Sequence, residues 1–412
     1  MPEMLHVRMR LSDWKRVTAA LLALFAVRGF RFVFALLLAA GVASCRPQQR
    51  SDLPEVAPGI CYTNYRVANV PWSIHVARVD RSQHQFEFQS THAGGAAVGL
   101  STLSDQIHSL KPEQGTPVVA LNGDFYQREK AYAGDPRGLQ IVNGELISAP
   151  VGGVSFWIDA AGQPHTTNIV SRFKVTWPDR STTPFGLNEE RRNESAILYT
   201  PALGASTHTK GGRELILEST GNGPWLPLRV GVAYKARVRE VRADGDTPLA
   251  PGLLVLSIGP ALTNSVPQIG TGAVLTISTE TLPDLRGTKV AISGGPVLVR
   301  SGKRQKFPTS AQDGSQAYEF RSMAERHPRS AIGWNEKYFY CVEVDGRQKE
   351  LSVGMTLDEL ADYLAGLGCT DAMNLDGGGS ATFWLQGQVR NSPCDKKERE
   401  IANALVLMKK EK

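Results

Sequence analysis

The 412-residue chain has only five cysteines, and no two form a CxxC pair, so the ligand spacing of a structural zinc site is missing. No apolar run is long enough to span a bilayer: the two N-terminal runs, residues 17–27 and 32–42, are broken by Arg28 and Arg31. There is no stripe of basic residues interleaved with aromatics and no nucleic-acid reader motif, which excludes nucleic acid as a partner. No Gly-x-Ser-x-Gly turn is present around Ser380, which argues against a serine nucleophile. Internal repeats are absent, and helix-period segments are few.

Charge gives no further lead. The formal net charge of +6 is concentrated at the start, where Arg8, Arg10, Lys15, Arg16, Arg28 and Arg31 face only Glu3 and Asp13. Of the 46 basic and 40 acidic residues, 40 and 38 remain after position 44. The second apolar run ends in Val42-Ala43-Ser44-Cys45, which resembles a bacterial lipobox. Residues 1–44 are therefore expected to be a lipoprotein signal peptide, with Cys45 lipidated after cleavage. Residues 45–59, rich in Pro, Gln and charge, read as a tether. These features predict export and anchoring to a membrane of the cell envelope. Cys61, Cys341, Cys369 and Cys394 remain, and export would permit one or two disulfides among them, in pairings that spacing does not choose.

Period-two or β-branched segments bounded by Gly, Pro or Asn predict strands at 73–79, 85–89, 118–121, 138–142, 154–158, 215–217, 237–241, 253–258, 273–277, 289–292 and 338–344. Two helices are predicted. One covers 102–109 with Ser101 as N-cap; the other covers 356–367, opened by a Thr356/Glu359 capping box with Leu357, Leu360, Ala361 and Leu364 on its core face. Near the C-terminus the order is strand, helix, short strand to Leu375, glycine loop, strand 381–385 and a last strand 402–408. Many strands and few helices indicate an α+β fold of strand-rich mixed sheets, as one large domain or two intimate lobes over 60–410. Residues 176–251 read as an inserted or peripheral strand-rich lobe.

The most informative stretch is Asp371-Ala372-Met373-Asn374-Leu375-Asp376-Gly377-Gly378-Gly379-Ser380. Three consecutive glycines pack nothing and are expected where φ must be positive or where a ligand touches bare backbone. Freed amides there would cradle an anion. An Asp-Gly hairpin turn is the plainer reading.

This stretch and the preceding Gly354-Met355-Thr356-Leu357-Asp358-Glu359-Leu360-Ala361 closely resemble the signature of the phosphodiester glycosidase family. Four further segments are similar to it in order: Asn122-Gly123-Asp124-Phe125-Tyr126, Ala291-Ile292-Ser293-Gly294-Gly295-Pro296, His327-Pro328-Arg329-Ser330, and Glu400-Ile401-Ala402-Asn403-Ala404-Leu405-Val406. The resemblance implies a hydrolase that cleaves the C1–O bond of a sugar-phosphate diester or a related envelope or exopolysaccharide glycan. A phosphate monoester leaves with a pKa of about 6, so the reaction asks for charge stabilisation, one or two carboxylates and little proton donation.

Within that chemistry Asp376 is the leading carboxylate, and Asp124 the second acid, at a position where the family often has a small residue. Arg329 is the expected phosphate clamp, since a guanidinium binds two phosphate oxygens at once. Asn122, Gly123, Arg137, Gly294, Gly295, His327, Asn374, Gly377, Gly378, Gly379 and Ser380 are expected to bind substrate. Trp334, Phe383 and Trp384 fit sugar-stacking platforms or core. No cofactor is expected. A divalent cation such as calcium would need Asn122, Asp124, Asn374 and Asp376 to converge. The second functional class is a noncatalytic polysaccharide- or envelope-binding lipoprotein that retains the cleft.

Overall fold

The computed structural model describes residues 54–93, 97–128, 130–221, 225–307 and 322–410. Cys45, the expected signal segment and most of the expected tether lie outside the described residues. The fold is α+β and dominated by strands.

A central eight-stranded sheet runs in the order Glu55–Ala57, Ile60–Val67, Trp72–Asp80, Tyr338–Val344, Arg329–Trp334, Asp371–Asn374, Val297–Arg300 and Lys303–Arg304. One face packs with Phe156, Ile292, Phe383, Leu405 and Leu407 into a shared core. The other face is covered by the helix Leu357–Gly366, which buries Leu357, Leu360, Ala361 and Leu364. The helix starts as expected: Thr356 Oγ1 accepts from the Glu359 amide at 3.1 Å, and Glu359 Oε2 accepts from the Thr356 amide at 2.9 Å.

A five-stranded sheet orders Gln388–Val389, Phe383–Leu385, Thr116–Asn122, Asn403–Lys409 and Phe86–His92. Its strand Asn403–Lys409 is buried on both faces. Leu405 and Leu407 enter the core shared with the central sheet, while Ala404, Val406 and Met408 pack under the helix Leu103–His108. Period-two alternation between two cores explains why this strand reads as one unbroken apolar run. The short helix is capped by Thr102, whose hydroxyl accepts from the Asp105 amide, and not by Ser101. Ser101 is held extended by two backbone bonds to Ile401.

Several strands went unforeseen, among them Ile60–Val67, Pro164–Ser171 and Arg329–Trp334. Ile60–Val67 pairs along its whole length with Trp72–Asp80, but its half-exposed polar residues blur the alternation. Arg329–Trp334 is fully buried yet opens with Arg and Ser and contains Gly333. The middle region forms a second eight-stranded sheet, from Lys174–Thr176 to Val274–Ser278. Its apolar side joins Ile141, Leu146 and Trp157 of a six-stranded sheet in a single core. The region is therefore packed into the body of the fold and is not peripheral.

The disulfides that export would permit are not seen among the described residues, where Cys61, Cys341, Cys369 and Cys394 are free thiols. Cys341 and Cys369 lie in cores on opposite faces of the central sheet, and burial pushes the Cys341 thiol up to about 12. Trp334, Phe383 and Trp384 are core residues and offer no sugar platform.

Candidate active site

The site is assembled where the central and five-stranded sheets are stitched together. Asn122 closes the strand Thr116–Asn122 and is fully buried. Its Nδ2 donates to the Asp376 carbonyl at 2.7 Å, and its Oδ1 accepts from Ser330 Oγ at 2.6 Å and from the Thr382 amide at 3.1 Å. The Asp376 amide returns a bond to the Gly123 carbonyl at 2.9 Å. Asn122 thus bonds protein on both ends of its amide, where a sugar or phosphate donor was expected. Gly123 has no room for a side chain, because a Cβ there would run into Asn403 Oδ1 and Ile292.

Asp124 and Asp376 are brought together by these bonds. The Asp124 amide donates to Asn403 Oδ1 at 2.7 Å, and its Oδ1 accepts from the Phe125 amide at 2.8 Å. Its Oδ2 is buried without a partner. Burial pushes its pKa up to about 8, and the Asp376 charge adds to the rise. Asp376 is also raised by burial, but only to about 6, because the Ser380 hydroxyl, the Gly377 amide and the charges of Arg399 and Arg128 favour its ionised form. Ser380 also bonds Tyr126, whose hydroxyl donates to the Glu400 carbonyl at 2.8 Å.

Four of the five amides from Gly377 to Ala381 bond protein and are not free to cradle an anion. The Gly377 amide donates to Asp376 Oδ1, Gly378 to the Pro328 carbonyl, Ser380 to Gly377 and Ala381 to Gly378. What the glycines provide is room for cations. Gly378, at φ +63°, has the Arg347 guanidinium about where a Cβ would touch it, and a Cβ on Gly379 would overlap Arg399 Nη2. Arg399 is held there by Asp395 at 2.6 Å. Arg128 acts on Asp376 and Arg137 on Asp124.

Arg329 is buried and spends its guanidinium on structure. Nε donates to the Met355 carbonyl at 2.9 Å, and Nη2 to those of Ser322 and Glu325 at 2.6 and 3.0 Å. Burial and the Arg347 charge lower it to about 10. Its charge still reaches Asp376, whereas Arg347 is exposed.

Residues 239–408 match the phosphodiester glycosidase family. Over 125 residues, 29% of this chain, it is 31% identical to the human N-acetylglucosamine-1-phosphodiester alpha-N-acetylglucosaminidase. Over 119 residues, 27% of this chain, it is 30% identical to a prophage-derived uncharacterized protein, YomE, of Bacillus subtilis strain 168. The matched segments span 24% and 18% of those relatives' own lengths. A solved structure of a hypothetical protein from Synechocystis shares the fold at 19% identity, with a TM-score of 0.65 over 85% of this chain and 62% of that one.

Around Asp124 and Asp376 the remaining expected residues divide. His327 is partly buried, with Nδ1 at 3.3 Å from Arg347 Nη2 and Nε2 at 3.3 Å from Glu325; burial and the charges of Arg329 and Arg347 lower its pKa. Asn374 is buried and donates to the carbonyls of Gly295 and Leu375 at 2.9 and 2.6 Å. It therefore fastens the turn at Gly294 and Gly295 in place, although its Oδ1 is left without a partner. The four oxygen-bearing residues considered for calcium include Asn122, whose oxygen is already committed. Among the described residues, the group that brings three His or acidic ligand atoms together lies elsewhere, at His75, Glu343 and Asp345.

Six residues of the site escaped the sequence reading. Arg128, Arg347 and Arg399 come from loops without motif character. Tyr126 and Asn403 stand inside family segments that signalled them, and Asn403 Nδ2 is a third buried atom without a partner beside Asp124 Oδ2 and Asn374 Oδ1. Asp135, outside the motifs, is pushed up to about 8 by burial, Glu189 and Asp124. It lines a cleft of about 880 Å³ together with Gln127, Arg137, Phe173, Glu189 and Arg192.

Proposed function

We propose that this protein is a hydrolase that cleaves the C1–O bond of a sugar-phosphate diester. One observation carries the reading: two carboxyls of unequal acidity, buried Asp124 and half-buried Asp376, act on one another and are ringed by the charges of Arg128, Arg137, Arg329, Arg347 and Arg399. Near neutral pH Asp376 is mostly ionised and Asp124 mostly protonated, an acid and a base set by environment. The family match and the name of the human relative point to the same substrate class.

In this reading Asp376 faces the anomeric carbon and stabilises its oxocarbenium-like charge. The C1–O bond breaks, its electron pair leaves with the phosphate monoester, and Asp124 shares its proton with the departing oxygen. The arginines hold the growing phosphate charge. Water delivers hydroxyl to C1, and its proton returns to the carboxyl pair. The sugar or polymer enters along the Asp135–Arg137 cleft, with the 39%-exposed ring of Phe125 as its apolar platform. The chain acts at the cell envelope, exported and lipid-anchored through Cys45, on the strength of its lipobox-like N-terminus.

The test is hydrolysis of a panel of sugar-phosphate diesters and simple aryl glycosides, scoring free sugar separately from free phosphate, for the wild type and Asp376→Asn. Free sugar released from the diesters and lost in the variant supports the reading. Release of inorganic phosphate in its place, or release unaffected by the variant, refutes it.

A further inference from the structure

A second cluster of buried titratable groups lies outside this site, on the central sheet. His75, Glu343 and Asp345 are each no more than 1% exposed, and each brings one ligand-type atom within 4.8 Å of the others. His75 and Glu343 are cross-strand partners in Trp72–Asp80 and Tyr338–Val344. Asp345 follows directly, its amide on the Ser73 carbonyl at 3.0 Å.

Each of the three side chains has one end tied down and the other turned to the cluster. The Tyr62 hydroxyl bonds His75 Nδ1 at 2.8 Å, so that Nε2 lies 3.2 Å from Asp345 Oδ2. Asn391 Nδ2 donates to Glu343 Oε1 at 3.1 Å, and the Ser392 amide to Asp345 Oδ1 at 2.7 Å. Glu343 Oε2 is left buried with no partner. Anchored outer atoms and free inner atoms are the pattern that orients metal ligands. Tetrahedral zinc with N and O ligands at about 2.0–2.1 Å spaces neighbouring ligand atoms about 3.3 Å apart, close to the His75–Asp345 separation.

Charge points the same way. No Lys or Arg forms an ion pair with either carboxylate among the described residues; their ion pairing is confined to His75 with Asp345. Two buried carboxylates without a cation are costly to hold ionised, and a divalent ion would neutralise both. A donor set of imidazole and two carboxylates suits a transition cation better than calcium or magnesium, which favour all-oxygen shells.

We propose that His75 Nε2, Glu343 Oε2 and Asp345 Oδ2 bind a divalent transition cation, zinc or manganese, as a structural site. Ser73 Oγ, 3.4 Å from His75 Nε2, stands beside it as a further oxygen. The ion would tie Trp72–Asp80 to Tyr338–Val344. Glu343 is the register partner of Ser330, whose hydroxyl holds Asn122 Oδ1, so the ion braces the strand that supports the Asp376 loop.

The test is elemental analysis of the full chain, purified without chelator, for the wild type and Glu343→Gln, followed by thermal unfolding of chelator-treated protein with added Zn²⁺ or Mn²⁺. The expected result is about one equivalent of zinc or manganese in the wild type, at least about tenfold less in the variant, and a Tm rise of about 5 °C on metal addition to the wild type alone. If Glu343→Gln does not fold, the wild-type titration decides. A wild type that takes up neither ion and keeps its Tm overturns the site, as does a folded variant that retains its metal; the first outcome would mean that a shared proton neutralises the carboxylates.

Discussion

Asn122 Nδ2 donates to the backbone carbonyl of Asp376 at 2.7 Å, joining residues 254 positions apart. This bond places the loop after Asp371–Asn374 over the end of Thr116–Asn122, and so sets one acid beside the other. With Ser330 and Thr382 on its other end, Asn122 is a joint between two sheets. Asn122→Ala would leave two buried donors and one buried acceptor without partners. A loss of about 3 kcal/mol in urea unfolding is expected, with activity falling in step; a loss under about 1 kcal/mol would remove Asn122 as the joint.

Asp376→Asn should lower kcat by about a thousandfold while leaving far-UV dichroism and Tm close to wild type. The amide keeps the oxygen that accepts from Gly377 but cannot carry the negative charge the anomeric centre requires. Turnover within about tenfold of wild type would exclude Asp376 from the chemistry.

The activity profile follows from the two carboxyls. Activity should rise with pH as Asp376 ionises through about 6 and fall as Asp124 loses its proton through about 8, giving a bell whose limbs belong to the coupled pair. Asp124→Asn should erase the alkaline limb and lower the maximum. A profile in which the variant keeps an alkaline limb near 8 would assign that limb to another group.

Gly379→Ala tests the packing of the loop against its cation. The added Cβ overlaps Arg399 Nη2 and must push the guanidinium from Asp395 and away from Asp376. Diester hydrolysis should fall by about ten- to a hundredfold, with Tm lowered only slightly, and the acid limb should move to higher pH as Asp376 loses a neighbouring cation. An unchanged acid limb would mean that Arg399 does not act on Asp376.

Stability should depend on pH through Asp135 and Asp124. Both folded-state values are raised to about 8, against about 3.9 in the unfolded chain. The folded state therefore holds protons that the unfolded state has released, and stability is greatest below about pH 4 for these groups and falls as pH rises towards 8. Asp135→Asn should flatten this decline, read as a smaller Tm difference between pH 5 and pH 8. An unaltered difference would place Asp135 in a wetter setting.

Local chemistry in the sequence determined much of the architecture. The capping box at Thr356 and Glu359 fixed where a helix begins, because both partners lie three residues apart. The apolar alternation in 338–344 and 402–408 marked strands whose faces meet cores whatever their neighbours. The motif around Asp376 and Asn122 marked the candidate site and a resemblance to the phosphodiester glycosidase family. Tertiary structure decided what those residues do. Whether a buried Asn or Arg faces a ligand or a carbonyl depends on strands far away in sequence, so Asn122, Asn374 and Arg329 proved to be fasteners. Arg347 and Arg399 reach the glycine loop only because the chain folds back over it. The unequal acidities of Asp124 and Asp376 arise from burial, hydrogen bonds and neighbouring charges, properties that no residue has until the two sheets close around it.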